Sequence, residues 1–179
     1  MPSIVELKTT VDLKKIQELM QKASVNILVG FPSGRPHIEA VHEQQDDGTF
    51  KNGSKVQTKF DQATKTERVV ETWELAEELH YGSATTPARP FLEEGIEYKV
   101  DELKEAIGKE LEKELNGGHA NWNKIGTMAV GHIQEFVRSD YYKSTIPNSK
   151  EWQEQKGSDT PLIDGGDLIN SMSFIVEEK

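Results

Sequence analysis

The sequence predicts an α+β fold: a mostly antiparallel sheet of about four strands, packed against two long antiparallel helices and some shorter ones, with a long β-hairpin arm. Short β-prone runs lie near the two ends of the chain, at residues 3–8, 25–31 and 171–176. Two long stretches with helical periodicity lie between them, at residues 90–115 and 120–142. We therefore expect the terminal strands to form the sheet and the helices to cover it.

The clearest helix lies in the stretch from Thr86 to Leu115. Pro87 and Pro90 restrict the backbone before it, so the helix is expected to begin at or near Pro90. Apolar residues then recur at steps of three and four, which places them on one face that must be buried. These residues are Ile96, Val100, Leu103, Ile107, Leu111 and Leu115.

The remaining elements follow from the same signals. A helix is expected over residues 10–22, another over residues 69–81 that stops at Gly82, and a second long helix over residues 120–142. The two long helices are expected to pack as an antiparallel hairpin. The β-branched run at residues 25–31 ends at a turn with proline, which is typical of a buried strand.

Length and composition predict one domain over residues 1–179, since 35% hydrophobic content supports one modest core. Residues 35–68 are polar and contain the turn dipeptides Asp47-Gly48 and Asn52-Gly53, which indicates an inserted β-hairpin or a flexible arm. Residues 144–160 are polar and contain proline and glycine, which favours a loop.

Charge and cysteine content exclude some classes of protein. The 31 acidic and 21 basic residues give a formal net charge of −10, which argues against a protein whose main task is to grip phosphate backbones. The chain has no cysteine, and hence no disulfide, thiolate nucleophile or Cys-based zinc site. Neither a leader pattern nor a run of 18 apolar residues occurs, so we expect a soluble protein retained in the cytoplasm.

No catalytic or metal-binding motif is recognisable. His37 and His42 are five residues apart in a predicted strand and are expected on opposite faces, which is unsuited to joint metal binding. Asp159, Asp164 and Asp167 lack the spacing of a calcium loop, and turn and helix-cap chemistry explains them better. We therefore expect no enzyme, cofactor or metal. The alternative from this class is a small cytoplasmic metal-dependent hydrolase that uses Asp164, Asp167 and a histidine.

Three stretches, taken together, resemble a known family. They are residues 25–34 (VNILVGFPSG), 77–91 (EELHYGSATTPARPF) and 161–176 (PLIDGGDLINSMSFIV). Their order and spacing resemble the tail-component or tail-completion proteins of long-tailed bacteriophages, which are related to phage virion-morphogenesis proteins. The sequence departs from that family where Asp164-Gly165-Gly166-Asp167 replaces its usual Asp-Thr-Gly followed by Arg or Gln, and in the length of the arm.

The resemblance implies a non-enzymatic virion protein that forms a ring, expected to be a hexamer from tail symmetry, at the head-proximal end of the tail. Its expected role is tail completion or head–tail joining in the neck, and its expected partners are other phage neck and tail proteins. DNA would pass through the lumen without specific binding, no membrane is involved, and assembly would take place in the host bacterial cytoplasm. A tail terminator or stopper protein is the alternative. The acidity suits such a lumen, although solubility alone is the more common cause of such a charge.

On this interpretation the interface candidates are residues that could contact a partner. Arg89, held between two prolines, is expected to form an ion pair, either within its own chain or with a neighbouring subunit. Trp152 is a large aromatic in a polar segment and could anchor a partner or fold back onto its own domain. The arm could add strands to a neighbour or could be a flexible excursion. The other candidates are Phe91, Phe50 and Phe60 in the arm, Asp164 and Asp167.

Overall fold

A computed structural model describes residues 25–178 of the chain, and this part is mixed α+β. The predicted strand at residues 3–8 and the predicted helix at residues 10–22 lie outside the described residues. The strands are β1 (Val25–Gly30), β2 (Ile38–Gln44), β3 (Phe50–Val56), β4 (Thr58–Asp61), β5 (Thr66–Val69) and β6 (Ser173–Glu178). The helices are α1 (Thr72–Tyr81), α2 (Phe91–Tyr98), α3 (Val100–Leu115), α4 (Trp122–Arg138), α5 (Asp140–Thr145), α6 (Lys150–Lys156) and α7 (Asp167–Asn170).

Strands β1 and β6 come from opposite ends of the described chain and pair antiparallel, with Val29 opposite Phe174. Side chains alternate along β1, so Ile27 and Val29 face the helices. Within residues 25–178 the strands pair in twos, as β1–β6, β2–β3 and β4–β5. The predicted sheet of about four strands is therefore unconfirmed, although the pairing of the first and last described strands agrees with an antiparallel sheet.

The helix predicted over residues 90–115 is divided into α2 and α3. The division falls at Lys99, whose φ of −132° and ψ of 36° lie outside the helical region. The Lys99 amine donates a hydrogen bond of 2.8 Å to Glu135 on α4, so the break is attached to a neighbouring helix. Because the chain turns at this point, α2 and α3 each contact a separate part of α4.

Helices α3 and α4 run antiparallel, and Glu110 ties them together near the turn that joins them. The Glu110 carboxylate accepts hydrogen bonds of 2.9 Å from the Asn121 backbone N–H and 3.2 Å from the Lys124 amine. The backbone bond from Asn121 and the bond from Lys124 hold the pKa of Glu110 below its usual range. The buried glutamate of α3 is thus satisfied by the first turn of α4.

Helix α4 lies at the centre of the domain. It contacts α2, α3 and α5 and also the β1–β6 sheet. The predicted helix over residues 120–142 ends earlier, because Ser139 leaves the helical conformation and its hydroxyl accepts a bond from the Tyr142 N–H at the start of α5. The main core cluster consists of buried apolar residues from α1, α2, α4, α5 and the segment after α6: Ala76, Phe91, Ile133, Phe136, Val137, Tyr142, Leu168, Ile169 and Met172.

Two glycines let neighbouring elements approach α4. A Cβ atom at Gly126 would clash with the ring of Phe174 on β6, and one at Gly95 of α2 would lie 2.8 Å from the Ile133 Cα. Gly131, on the same helix as Gly126, has no atom near its Cβ position. Glycine in these positions costs helix propensity, so close packing at Gly126 and Gly95 must compensate for it.

Gly126→Ala is expected to lower the free energy of unfolding by about 1–3 kcal/mol, because the new methyl group overpacks the contact with Phe174. Gly131→Ala is the matched control: it gains helix propensity without a clash, so it should raise stability by up to about 1 kcal/mol. Urea denaturation followed by circular dichroism measures both. Equal stabilisation by the two alanines would contradict the packing of β6 on α4.

The arm consists of two hairpins, where the sequence suggested one long hairpin. Strands β2 and β3 pair antiparallel from Ile38 opposite Val56, and β4 and β5 form a second, shorter hairpin. Three backbone hydrogen bonds join the hairpins at their base: His37 N–H to Val70 C=O, Gln57 N–H to His37 C=O, and Val70 N–H to Gln57 C=O. Residue 57 alone separates β3 from β4, so both hairpins start from this common base.

The segment at residues 144–160, predicted as a polar loop, contains helix α6. Ser149 caps it by accepting a hydrogen bond from the Trp152 N–H, and Gly157 ends it with a φ of +66°. None of the residues of α6 is fully buried. The loop prediction was wrong over residues 150–156, because such a short exposed helix carries no apolar stripe for the sequence to reveal.

Candidate interaction site at the base of the arm

The loop between α6 and α7 is shaped by backbone conformations that favour glycine. Gly165 and Gly166 have φ values of +68° and +82°, which a side chain makes costly. A Cβ atom at Gly165 would lie 3.3 Å from the Ala40 side chain on β2, so the loop also lies against the arm. The two glycines therefore allow the loop to turn sharply while it contacts β2, and they place Asp164 and Asp167 on either side of that turn.

Asp167 attaches this loop to the chain that leads into the arm. Its carboxylate accepts hydrogen bonds of 3.0 Å from the Ile38 backbone N–H and 3.1 Å from the Arg35 guanidinium, and it lies 3.1 Å from His37 Nδ1. Burial alone would raise the pKa of Asp167, but the bonds from Ile38 and Arg35 outweigh it and hold that pKa below the usual range. The side chain is 13% exposed, so the carboxylate is largely enclosed. Its lowered pKa keeps it ionised at neutral pH.

Asp164 makes a second attachment to the arm. Its Oδ1 lies 2.7 Å from His42 Nε2, and the His42 side chain is 5% exposed. His37 and His42, expected on opposite faces of a strand, thus both reach the same loop. The reason is that His37 precedes β2 and is not subject to strand alternation, whereas His42 lies within the strand.

The segment between α1 and α2 is folded by local constraints. Gly82 has a φ of +79°, and a Cβ atom there would lie 2.7 Å from the Ala88 backbone nitrogen. The Ser83 hydroxyl accepts from the Thr86 N–H, and the Arg89 N–H donates to the Leu79 carbonyl at 2.9 Å. The histidine-tyrosine-glycine-serine sequence therefore forms a tight turn that brings Arg89 back alongside the end of α1.

Phe91 is a core residue, which corrects its place among the interface candidates. It is 0% exposed, and its ring makes edge contacts with the rings of Phe31 and His80. The rigid entry through Pro90 points this side chain inward at the first residue of α2. A residue without exposed surface cannot contact a partner directly.

Arg89 faces a small cavity between the arm base, α1 and α6. The cavity has a volume of about 220 Å³ and includes Trp152 and Lys156 of α6 and Asp164 of the loop. Within residues 25–178, the Arg89 side chain makes neither an ion pair nor a hydrogen bond, and its Nε is buried without a partner. An ion pair of Arg89 with its own helix, one of the two expectations, is not observed among these residues.

Lys156 lies in the same cavity and stabilises the loop. Its amine donates to the Ile163 carbonyl at 2.9 Å and to the Thr160 carbonyl. Burial lowers the pKa of Lys156, as expected for a cation withdrawn from water. Two cationic side chains, Arg89 and Lys156, therefore share an enclosed space with the Asp164 carboxylate, which is itself bonded to His42.

The other interface candidates lie on separate elements of the fold. Trp152 is 38% exposed at the cavity, and its ring centroid lies 6.0 Å from that of His42. Phe60 is 51% exposed on β4. Phe50 is the first residue of β3, opposite Gln44 in the register. Arg89, Trp152 and Asp164 thus come together at one cavity, whereas Phe60 lies on the second hairpin, outside it.

Sequence reasoning missed four contributors to this site: Arg35, His37, His42 and Lys156. Arg35, His37 and His42 lie in the polar region interpreted as an arm, and only the fold brings them to the aspartates 122–132 residues further along the chain. Lys156 lies in the segment predicted as a loop. No spacing rule connects such distant residues, so no local signal in the sequence could have identified them.

The hydrolase alternative would need histidines and carboxylates grouped around a metal ion. Among residues 25–178, no group of three or more such side chains could hold a metal ion. Asp164 and Asp167, named for the hydrolase alternative, are engaged in bonds that attach the arm. In the described part of the chain, none of the helices has the length and apolar character needed to cross a lipid bilayer.

A second cavity is a wide apolar groove of about 730 Å³. It lies between β1 and helices α2, α3 and α4, and Val25 and Trp122 are among its lining residues. It contains no catalytic constellation among the residues that the structure describes. The arm-base cavity combines charged groups with an exposed aromatic, so it is our candidate interaction site.

Comparison with known proteins identifies no relative of this chain. No family model matches the chain, no curated protein matches it, and no solved structure matches it. The functional proposal therefore depends on the sequence motifs and on where the fold places them.

Proposed function

We propose that this protein is a structural subunit of a tailed-phage virion that forms a ring at the head-proximal end of the tail. There it completes the tail and joins it to the head in the neck. The observation that supports the proposal most is that the three stretches carrying the family resemblance contact one another in the fold. Strand β1 pairs with β6, the Phe31 ring lies 6.2 Å from the Phe91 ring, and Arg89 and Asp164 line the same cavity.

The bonds at the base of the arm are suited to fixing the orientation of the arm. The Asp167 and Asp164 carboxylates bind the base of the arm, and an enclosed ionised group with several hydrogen bonds fixes geometry well. An arm fixed at its base and exposed along its second hairpin can reach a neighbouring subunit or add a strand to it. The partners on this proposal are further copies of the chain and other neck and tail proteins.

The acidity of the chain also agrees with the proposal. A formal charge of −10 in each subunit would make a closed ring strongly negative. Such a lumen repels the phosphate backbone, so DNA can pass through without binding. The proposed site of action is the virion, after assembly in the host bacterial cytoplasm.

The test is whether the protein binds and completes tails. Tails assembled without this protein are mixed with the purified chain, and tail ends are imaged by negative stain. We expect added density at the head-proximal end and restored joining to heads. Binding to heads alone would instead favour a stopper, and binding to neither heads nor tails would overturn the proposal.

A further inference from the structure

The Arg89 cavity lacks a partner for its cation. Arg89 Nε is enclosed without a hydrogen bond, and neighbouring Lys156 is partly withdrawn from water. A buried N–H without an acceptor is costly, and a guanidinium forms its strongest hydrogen bonds with an anion. Of the carboxylates that line the cavity, Asp164 is bonded to His42 at 2.7 Å, and Glu39 lies 3.6 Å from Lys55 in an exposed and weaker pair. Neither makes a hydrogen bond or an ion pair with Arg89 within residues 25–178.

The cavity is open where Trp152 is exposed, so an external group can enter it. A carboxylate suits it because the planar guanidinium of Arg89 can pair with both carboxylate oxygens. The Lys156 amine already donates to two carbonyls and adds positive charge beside that pair. The flanking indole would exclude water from that pair, which strengthens an ionic hydrogen bond.

The tip of the first hairpin offers such a carboxylate. The turn between β2 and β3 is closed by a hydrogen bond from the Gly48 N–H to the Gln45 carbonyl. The Asp47 carboxylate accepts hydrogen bonds from the backbone N–H and the hydroxyl of Thr49. Asp46 is exposed at this tip and has neither an ion pair nor a side-chain hydrogen bond within residues 25–178. The Asp46 carboxylate is thus held on a structured turn, without an ionic partner among residues 25–178.

The hairpin keeps Asp46 away from the cavity of its own chain. Strand β2 starts at the cavity, where Glu39 and Ala40 lie, and extends away from it. His42 still contacts Trp152 and Asp164 at the cavity, and the four residues from there to Asp46 span about 13 Å in an extended strand. Donor and acceptor therefore lie on separate surfaces of one subunit, an arrangement that generates head-to-tail contacts. Such contacts form a ring when the rotation between neighbouring subunits closes.

We propose that the Arg89–Lys156 cavity receives the Asp46 carboxylate of a neighbouring copy of this chain. This inference rests on the proposed ring, and it names the contact that joins adjacent subunits. Each subunit inserts its arm tip into the next one, so every subunit of a closed ring both gives and receives one such contact.

Charge exchange tests the contact. Asp46→Arg and Arg89→Glu should each abolish association of the variant with itself, because each places like charges together. Mixing the two variants should restore association in alternating order. In that order the arginine introduced at position 46 meets the glutamate introduced at position 89, and the native Asp46 meets the native Arg89. The double variant should also associate by itself. Mass photometry measures the species, and the rescue distinguishes a lost contact from a failure to fold.

Matched controls place the same charge changes elsewhere. Glu67→Arg lies on the second hairpin, and Lys150→Glu lies at the exposed start of α6; both should associate like the unmodified chain. Rings that persist in Arg89→Glu, or variants that stay apart when mixed, would overturn the contact while leaving the ring function intact. If each single variant loses association and mixing restores it, but the species formed are dimers or open chains instead of rings, the contact would be supported and the ring would not. An unmodified chain that stays monomeric would overturn both.

Discussion

Phe91→Ala is expected to lower the free energy of unfolding by about 3–5 kcal/mol, since it removes a fully buried ring and leaves a cavity. The ring contacts Phe31 and His80 and belongs to the main core cluster, so its loss affects α1 and α2 together. A loss of this size is a large part of the stability of a domain of this length.

Urea denaturation of the unmodified chain and of Phe91→Ala, followed by tryptophan fluorescence, measures the difference in the free energy of unfolding. Phe60→Ala is the matched control, because Phe60 is half exposed on β4 and its removal should change the unfolding free energy by less than about 0.5 kcal/mol. Equal effects of the two alanines would contradict the assignment of Phe91 to the core.

Asp167→Asn is expected to lower the free energy of unfolding by about 2–3 kcal/mol at neutral pH, because it weakens charge-assisted bonds to Arg35, His37 and the Ile38 backbone. It should also release the base of the arm. Hydrogen exchange of the β2 and β3 amides should therefore quicken more than that of α4 amides, which mass spectrometry can measure.

The effect should depend on pH with a definite sign. The pKa of Asp167 is lowered in the folded state, so its contribution is complete above the unfolded value of about 3.9 and is lost as pH falls through the folded pKa. The stability difference between the unmodified chain and Asp167→Asn should shrink as pH falls below about 4.

Asp159→Asn is the control for this series. Asp159 has a side chain that is 63% exposed and pairs with Lys143 at 3.3 Å, a contact worth little in water. It should change the unfolding free energy by less than about 1 kcal/mol. A difference for Asp167→Asn that stays constant down to acidic pH would show that the ionised carboxylate does not hold the arm.

The mixed α+β class and the positions of the long helices and of β1 could be predicted from the sequence, because hydrophobic periodicity is a local signal. The face from Ile96 to Leu115 is buried only in part, since Leu103 is buried and Leu115 is 47% exposed. The strand at residues 25–31, predicted to be buried, is half-buried with Leu28 51% exposed, because alternate side chains of β1 point away from the helices. The break at Lys99 was not predictable in this way, since an apolar stripe continues across it. Contacts with α4, distant in sequence, accompany the break there.

The candidate site was predictable as separate residues and not as an arrangement. Arg89, Trp152 and Asp164 stood out because of neighbouring prolines, a polar surrounding and a glycine turn. Their convergence on one cavity depends on α6, whose exposed turns leave no periodic pattern. The exposure of Phe91 was misjudged because the motif surrounding it gave no indication of which side faces the core.

The molecular mass of the unmodified protein in solution, measured by light scattering across a concentration series, tests the central proposal most directly. We expect a closed species with a defined number of subunits, six from the symmetry of the tail, visible as rings in negative stain. A chain that stays monomeric at every concentration and forms no ring when tail tubes are added would contradict it.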